Sequence, residues 1–167
     1  LQRPDKDLDF LKFNLNEVLQ NIFRKYRSIF IYKNIELNYK PCDLNIISDQ
    51  VLFELMIEQI ISNSLKYCGI DGKRGILSIY IENQNPSILV IEDNGIGISP
   101  SDLPKIFDKG YSGLNGRLSE KATGLGLYLA REISERLGCT LAINSRQGEW
   151  TRAEVKLGTE TAILTKM

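Results

Sequence analysis

The stretch SILVIEDNGIGI, residues 87–98, decides how this chain is read. Its first half is a short, β-rich apolar run bounded by turn residues, which predicts a buried strand. Its second half ends that strand in Asp93, delivering a carboxylate to the rim of a sheet, and Gly95 and Gly97 follow at once. Glycines permit backbone conformations and close approaches that a Cβ blocks. D-N-G is also a common turn sequence, so an ordinary turn is the plain alternative.

Upstream, NQNP joins this strand to ILSIYI (76–81), a second β-rich run. Before it, Asp49 is a candidate N-cap for a helix reaching Lys66. On a wheel of about 100° per residue with Gln59 at zero, Asn63 falls near 40°, Lys66 near −20° and Tyr67 near 80°. Leu52, Leu55 and Met56 share that sector, so an apolar stripe becomes amide, amide, ammonium and phenol. Either the helix leaves the core there, or these groups face a ligand. Asn63 offers a hard oxygen suited to Mg²⁺, and Lys66 a cation suited to phosphate. Glu58, near −100°, faces elsewhere.

Downstream, TGLGLYLA (123–130) opens a helix predicted over 125–137 and stopped by Gly138. Free N–H groups at a helix start attract anions. A dinucleotide fingerprint needs a strand immediately before its glycines, and the preceding residues are polar. A Walker-type phosphate loop is absent as well. Phosphates bound here would sit on a different nucleotide fold, unless the glycines only permit tight packing. The polar segment 108–123 is long enough for a lid, with Phe107 placed to anchor one end.

Toward the N-terminus, FLKF (10–13) predicts a short strand, and Asn14 or Asn16 caps one helix running from Leu15 to Lys33, broken by Asn34. IELNY (35–39) and NIIS (45–48) alternate like strands. CTLAINS (139–145) and EWTRAEVKL (149–157) predict a final hairpin. The order suggests an α+β two-layer sandwich, with helices on one face of a mixed, largely antiparallel sheet.

The chain has 167 residues, 43% hydrophobic and 25% charged, which suits one domain. Its 21 basic and 21 acidic residues balance, which argues against nucleic acid as a partner. It contains no histidine, which removes Ser-His-Asp and Cys-His catalysis and histidine-bearing zinc sites. Cys42, Cys68 and Cys139 are widely spaced and read as reduced, buried thiols. No apolar run approaches membrane-spanning length.

Four motifs stand in one order: ISNSLKY (61–67), EDNGIGI (92–98), IFDKGYSG (106–113) and TGLGLYLA (123–130). Together they resemble the N, G1, F and G2 boxes of the catalytic ATP-binding domain of bacterial sensor histidine kinases. That domain has the Bergerat fold, shared with gyrase, Hsp90 and MutL. The resemblance covers about residues 13–157 and implies three helices on one sheet face with a mobile ATP lid. It implies that Asn63 holds Mg²⁺ against the ATP phosphates, that Lys66 reaches phosphate, and that Tyr67 packs by the nucleotide. Asn63 and Lys66 would thus be the catalytic pair.

In the same resemblance Asp93 accepts from the adenine amino group, while Gly95, Gly97 and Ile98 pass beside the base. Phe107 roots the lid, Arg117 is a lid cation near the γ-phosphate, and Thr123, Gly124, Leu125, Gly126 and Leu127 lie by the phosphates. Gln59 departs from the pattern: many members carry asparagine there and some related ATPases a catalytic glutamate. Glutamine cannot act as a general base, so fast independent hydrolysis is not expected. The KGYSG form of the F box resembles intramembrane-sensing kinases that act with peptide-antibiotic transporters.

By that resemblance the phosphate acceptor is a histidine on a separate helical dimerisation domain. Residues 1–9 would be a linker from that domain, 10–158 the ATP-binding domain and 159–167 a tail. The isolated domain would be cytoplasmic and monomeric. The parent would be a homodimer anchored in the bacterial cell membrane, signalling to a response regulator. A serine kinase of the anti-sigma-factor type on the same fold, or a non-catalytic nucleotide-binding module, are the alternatives.

Overall fold

Asn14 starts the folded chain by doing two jobs. It ends strand β1 (Phe10–Asn14) and caps helix α1 (Leu15–Lys25), its side-chain oxygen accepting from the Asn16 amide at 2.9 Å. This is the cap that Asn residues favour, satisfying an N–H with no intrahelical partner. The computed structural model describes residues 8–70, 72–85, 87–113, 124–158 and 162–165.

The helix expected to run on to Lys33 is two helices. Tyr26 steps out of helical geometry (φ −99°, ψ 9°), and α2 (Arg27–Tyr32) follows. Apolar periodicity runs straight through Tyr26, so no local signal marks the break. A distant contact accompanies it: the Tyr26 hydroxyl donates to Glu58 at 2.9 Å. Helix α2 ends at Lys33 because Asn34 takes a left-handed φ of 52°, which Asn tolerates better than most residues. The described residues therefore hold four α-helices rather than three, and α2 buries none of its side chains.

Strands β2 (Glu36–Tyr39), β4 (Ile76–Ile81), β5 (Ile88–Asp93), β6 (Thr140–Arg146) and β7 (Trp150–Lys156) form one sheet in the order β2-β4-β5-β7-β6. Only the β2–β4 pair is parallel. Strand β3 (Leu44–Asp49) lies between β1 and β8 (Ala162–Thr165) in a second, three-stranded antiparallel sheet. Residues 162–165 fall inside the expected C-terminal tail, so that stretch includes a strand. Pairing with β3, more than a hundred residues away, leaves no local trace.

Asp49 caps α3 (Gln50–Tyr67) as expected, accepting from Leu52 N at 3.1 Å. Helix α4 (Gly126–Arg136) lies against α3, and a short 3-10 turn spans Leu103–Lys105. One core joins the layers: Leu15, Leu19 and Ile22 of α1, Phe53, Ile57 and Ile61 of α3, and Leu77, Ile79, Leu89, Ile91 and Val155 of the large sheet. The Phe13 and Phe53 rings, 5.5 Å apart, tie the small sheet to α3. The architecture is the expected mixed, largely antiparallel α+β fold. Cys68 and Cys139 are buried thiols, while Cys42 is only half-buried. No described helix is long and apolar enough to cross a membrane.

Candidate functional site

The last two turns of α3, the end of β5 and the first turn of α4 converge on a cavity of about 570 Å³. The α3 wheel explains one wall: Gln59, Asn63, Lys66 and Tyr67 all line it, while Glu58 points away to Lys25 and Tyr26. The helix therefore presents its polar sector to the cavity and its apolar sector, Phe53, Met56, Ile57, Ile60 and Ile61, to the core.

Asp93 ends β5 and is 4% exposed. Its carboxylate accepts from the Gly95 amide at 2.9 Å and from the Ser64 hydroxyl. Burial pushes its pKa up to about 6, and these two donors hold it down only in part. A carboxylate has about four acceptor sites, so two donors leave capacity facing the cavity. Thr151 of β7 stands opposite Asp93 in the strand register and also lines the cavity.

The turn after Asp93 is fixed at every residue. Asn94 accepts from Ile76 N at 2.7 Å and donates to Arg74 O at 3.0 Å, latching the turn to the start of β4. Ile96 N–H donates to Tyr67 O at 3.3 Å and Gly148 N–H to Ile96 O at 2.6 Å, while Ile98 N–H reaches Ser145 Oγ at 2.8 Å. Gly97 has φ +66°, and a Cβ there would stand 2.2 Å from Arg146 O. A Cβ on Gly95 would stand 2.5 Å from Tyr67 O. The glycine spacing is thus demanded by the backbone on both sides.

Of the expected site residues, Asn63, Lys66, Tyr67, Asp93, Gly97, Ile98, Gly124, Gly126 and Leu127 line the cavity, and Gly95 lies beneath it against Asp93. Two do not reach it. Phe107 is half-buried under the Arg131 guanidinium, 5.1 Å from the ring centre, and Ile106 lines the wall instead. Leu125 is 45% exposed on the outer side of the α4 start. Arg117, Thr123 and most of the expected lid lie outside the described residues. The two flanks of the expected lid meet: Gly110 N–H donates to Gly124 O at 3.2 Å, and Gly124 has φ +68°.

Helix α4 begins without a side-chain cap, and Gly126 and Leu127 of its first turn line the cavity, the arrangement that suits an anion. Lys66 forms no ion pair with a described residue; burial lowers its pKa, and its ammonium sits 5.4 Å from the Tyr67 ring centre. Sequence reading missed Ser64, Thr151 and Lys33. Ser and Thr in regular elements carry no signal of their own, and Lys33 reads as an ordinary helix-end lysine.

The profile of the histidine kinase-, DNA gyrase B-, and HSP90-like ATPases matches residues 48–161. The chain belongs to that ATPase family. It is 30% identical over 164 residues to the sensor histidine kinase YxdK of Bacillus subtilis, covering 98% of this chain and 48% of that protein. It is 33% identical over 153 residues to the sensor histidine kinase GraS of Staphylococcus epidermidis, covering 90% and 43%. The chain thus spans about half the length of the curated relatives it matches.

Among solved structures, the catalytic domain of the histidine kinase ThkA superposes with a TM-score of 0.73 at 20% identity, covering 91% of this chain and 97% of that one. The mycobacterial sensor histidine kinase MprB superposes at 0.72 and 19%, covering 95% and 100%. The fold of this member of the ATPase family is that of histidine kinase catalytic domains.

The donor set bears on a metal. Among the described residues no group of three His, Cys, Asp or Glu could hold one. Asn63 contributes a single amide, and no described residue hydrogen-bonds to it. One neutral oxygen suits Mg²⁺ that keeps waters and shares its coordination with phosphates, and does not suit a resident metal cage.

Proposed function

We propose that this chain is the ATP-binding, phosphoryl-donating domain of a sensor histidine kinase. The observation that carries the proposal is Asp93: a buried carboxylate with spare acceptor capacity, at the wall of a cavity whose other walls carry Lys66, Asn63 and the start of α4. A buried acceptor seeks a donor, and the exocyclic amino group of adenine is one. Gly95 and Gly97 keep the backbone low enough for a flat base. The triphosphate then extends toward Lys66 and the amides of α4.

Asn63 would hold Mg²⁺ that arrives with the nucleotide, supplying charge neutralisation at the phosphate oxygens. In the reaction, an imidazole nitrogen attacks the γ-phosphorus, the bond to the β-phosphate oxygen breaks, and ADP leaves. Such transfers depend mainly on positioning and electrostatics. The chain has no histidine; the likeness to sensor histidine kinases supports an acceptor histidine on a separate helical dimerisation domain, with a response regulator after it. Gln59 offers no base to activate water, so hydrolysis without that acceptor is slow. We assign the parent to the membrane-anchored, intramembrane-sensing type, with this domain on the cytoplasmic side; the sensor histidine kinase relatives and the KGYSG motif support it.

Calorimetry with ATP–Mg²⁺ and GTP–Mg²⁺ tests the base assignment. ATP should bind at least about tenfold more tightly, because a guanine carbonyl facing Asp93 leaves buried acceptors unpaired. Equal affinities would refute it. Radiolabelled ATP should give an acid-labile phosphohistidine only when the parent's helical domain is added; an acid-stable phosphate on a serine of another protein would favour the serine-kinase reading.

A further inference from the structure

Helix α3 ends at the cavity, and its end has an unusual cap. Cys68 N–H takes Ser64 O, so the carbonyls of Leu65, Lys66 and Tyr67 lack intrahelical partners. Tyr67 O is taken by Ile96 N–H. The other two are taken by one side chain, because Lys33 Nζ donates to both Leu65 O and Lys66 O, at 2.5 and 3.1 Å. Lys33 comes from the end of α2, thirty-two residues before Leu65 in the chain. It is half-buried, forms no ion pair with a described residue, and itself lines the cavity.

A helix C-terminus carries roughly half a negative charge. Here that charge lies beside the residues assigned to a polyanion, an arrangement that would repel phosphates unless it were neutralised. Lys33 supplies the neutralising charge on the carbonyls themselves, and the same two bonds hold the backbone from which Lys66 and Tyr67 project. We propose that Lys33 is a positioning residue for the phosphate end of this site: it clamps the last turn of α3 and cancels the helix end's negative charge beside the ligand. The inference rests on the nucleotide reading above.

Ligand charge separates this role from simple stability. Affinities for ATP–Mg²⁺ and for adenosine, which has no phosphates, are measured by calorimetry for the wild type and for Lys33→Met, Lys33→Gln and Lys33→Arg, together with thermal unfolding. Lys33→Met should weaken ATP–Mg²⁺ by about tenfold and adenosine by less than about threefold, the size expected for a partly buried charge at a helix end. Lys33→Arg should restore ATP–Mg²⁺ to within about threefold, since it keeps charge and donors. Lys33→Gln keeps donors without charge. It should remain folded yet lose ATP affinity selectively, which preserves the test should Lys33→Met fail to fold. Equal losses for both ligands, or a folded Lys33→Gln with wild-type ATP affinity, would overturn the inference. A wild-type chain that binds neither ligand would sink the nucleotide reading and this inference with it.

Discussion

Replacing Asp93 with asparagine should make the ligand-free domain more stable at neutral pH while damaging ATP binding. The carboxyl titrates at about 6 in the fold against an ordinary 3.8, so folding favours its protonated form. Its stabilising contribution is complete below about pH 4 and is lost as pH rises through about 6. That span is worth on the order of 3 kcal/mol at about 1.4 kcal/mol per pH unit. An asparagine keeps an acceptor for the Gly95 amide, its NH₂ can meet the Ser64 oxygen, and it never ionises. The stability of Asp93→Asn minus that of the wild type should therefore rise by roughly that amount between pH 4 and pH 7.5. Urea unfolding of both proteins at both pH values gives the difference, and groups common to the two cancel. Calorimetry at pH 7.5 should show ATP affinity lower by tenfold or more, because an amide NH₂ facing an amino group leaves donors unpaired. A stability difference that does not change with pH, or undiminished ATP affinity, would refute the reasoning.

Gly97→Ala should lower the melting temperature and abolish nucleotide binding, since its Cβ would meet Arg146 O and its φ is left-handed; a cost of about 2 kcal/mol or more is expected. Asn94→Ala should cost about 2 kcal/mol in urea unfolding by removing two hydrogen bonds that join β4 to the turn. Asn63→Ala should reduce the gain in ATP affinity on adding Mg²⁺ while leaving adenosine binding unchanged, both read by calorimetry. Phe53→Ala, in a fully buried site against Phe13, should cost about 3–5 kcal/mol without a selective effect on ligand charge.

What could be read in advance was what local chemistry determines. Strand β4 falls on ILSIYI, Asn14 and Asp49 cap their helices, and the polar sector of α3 faces the cavity, because caps and periodicity are properties of a few neighbouring residues. What escaped was set across the chain. The break at Tyr26 accompanies a bond to Glu58, thirty-two residues on. The parallel pairing of β2 with β4 and the β3–β8 ladder depend on partners no window contains. The Arg131 guanidinium over the Phe107 ring joins residues from two different motifs, so no single motif announces it. Lys33 and Asn94 look unremarkable in sequence because their partners are backbone atoms, which every residue possesses.

The backbone bond between Gly110 and Gly124 has an evolutionary consequence. It brings the flanks of the intervening thirteen residues together. Closing a longer loop across fixed ends costs little, about 0.6 kcal/mol for each doubling of length. Insertions, deletions and wholesale exchange of that interval should then be tolerated by the rest of the domain. The interval is free to diverge in length and sequence, while the flanks and the cavity stay as they are.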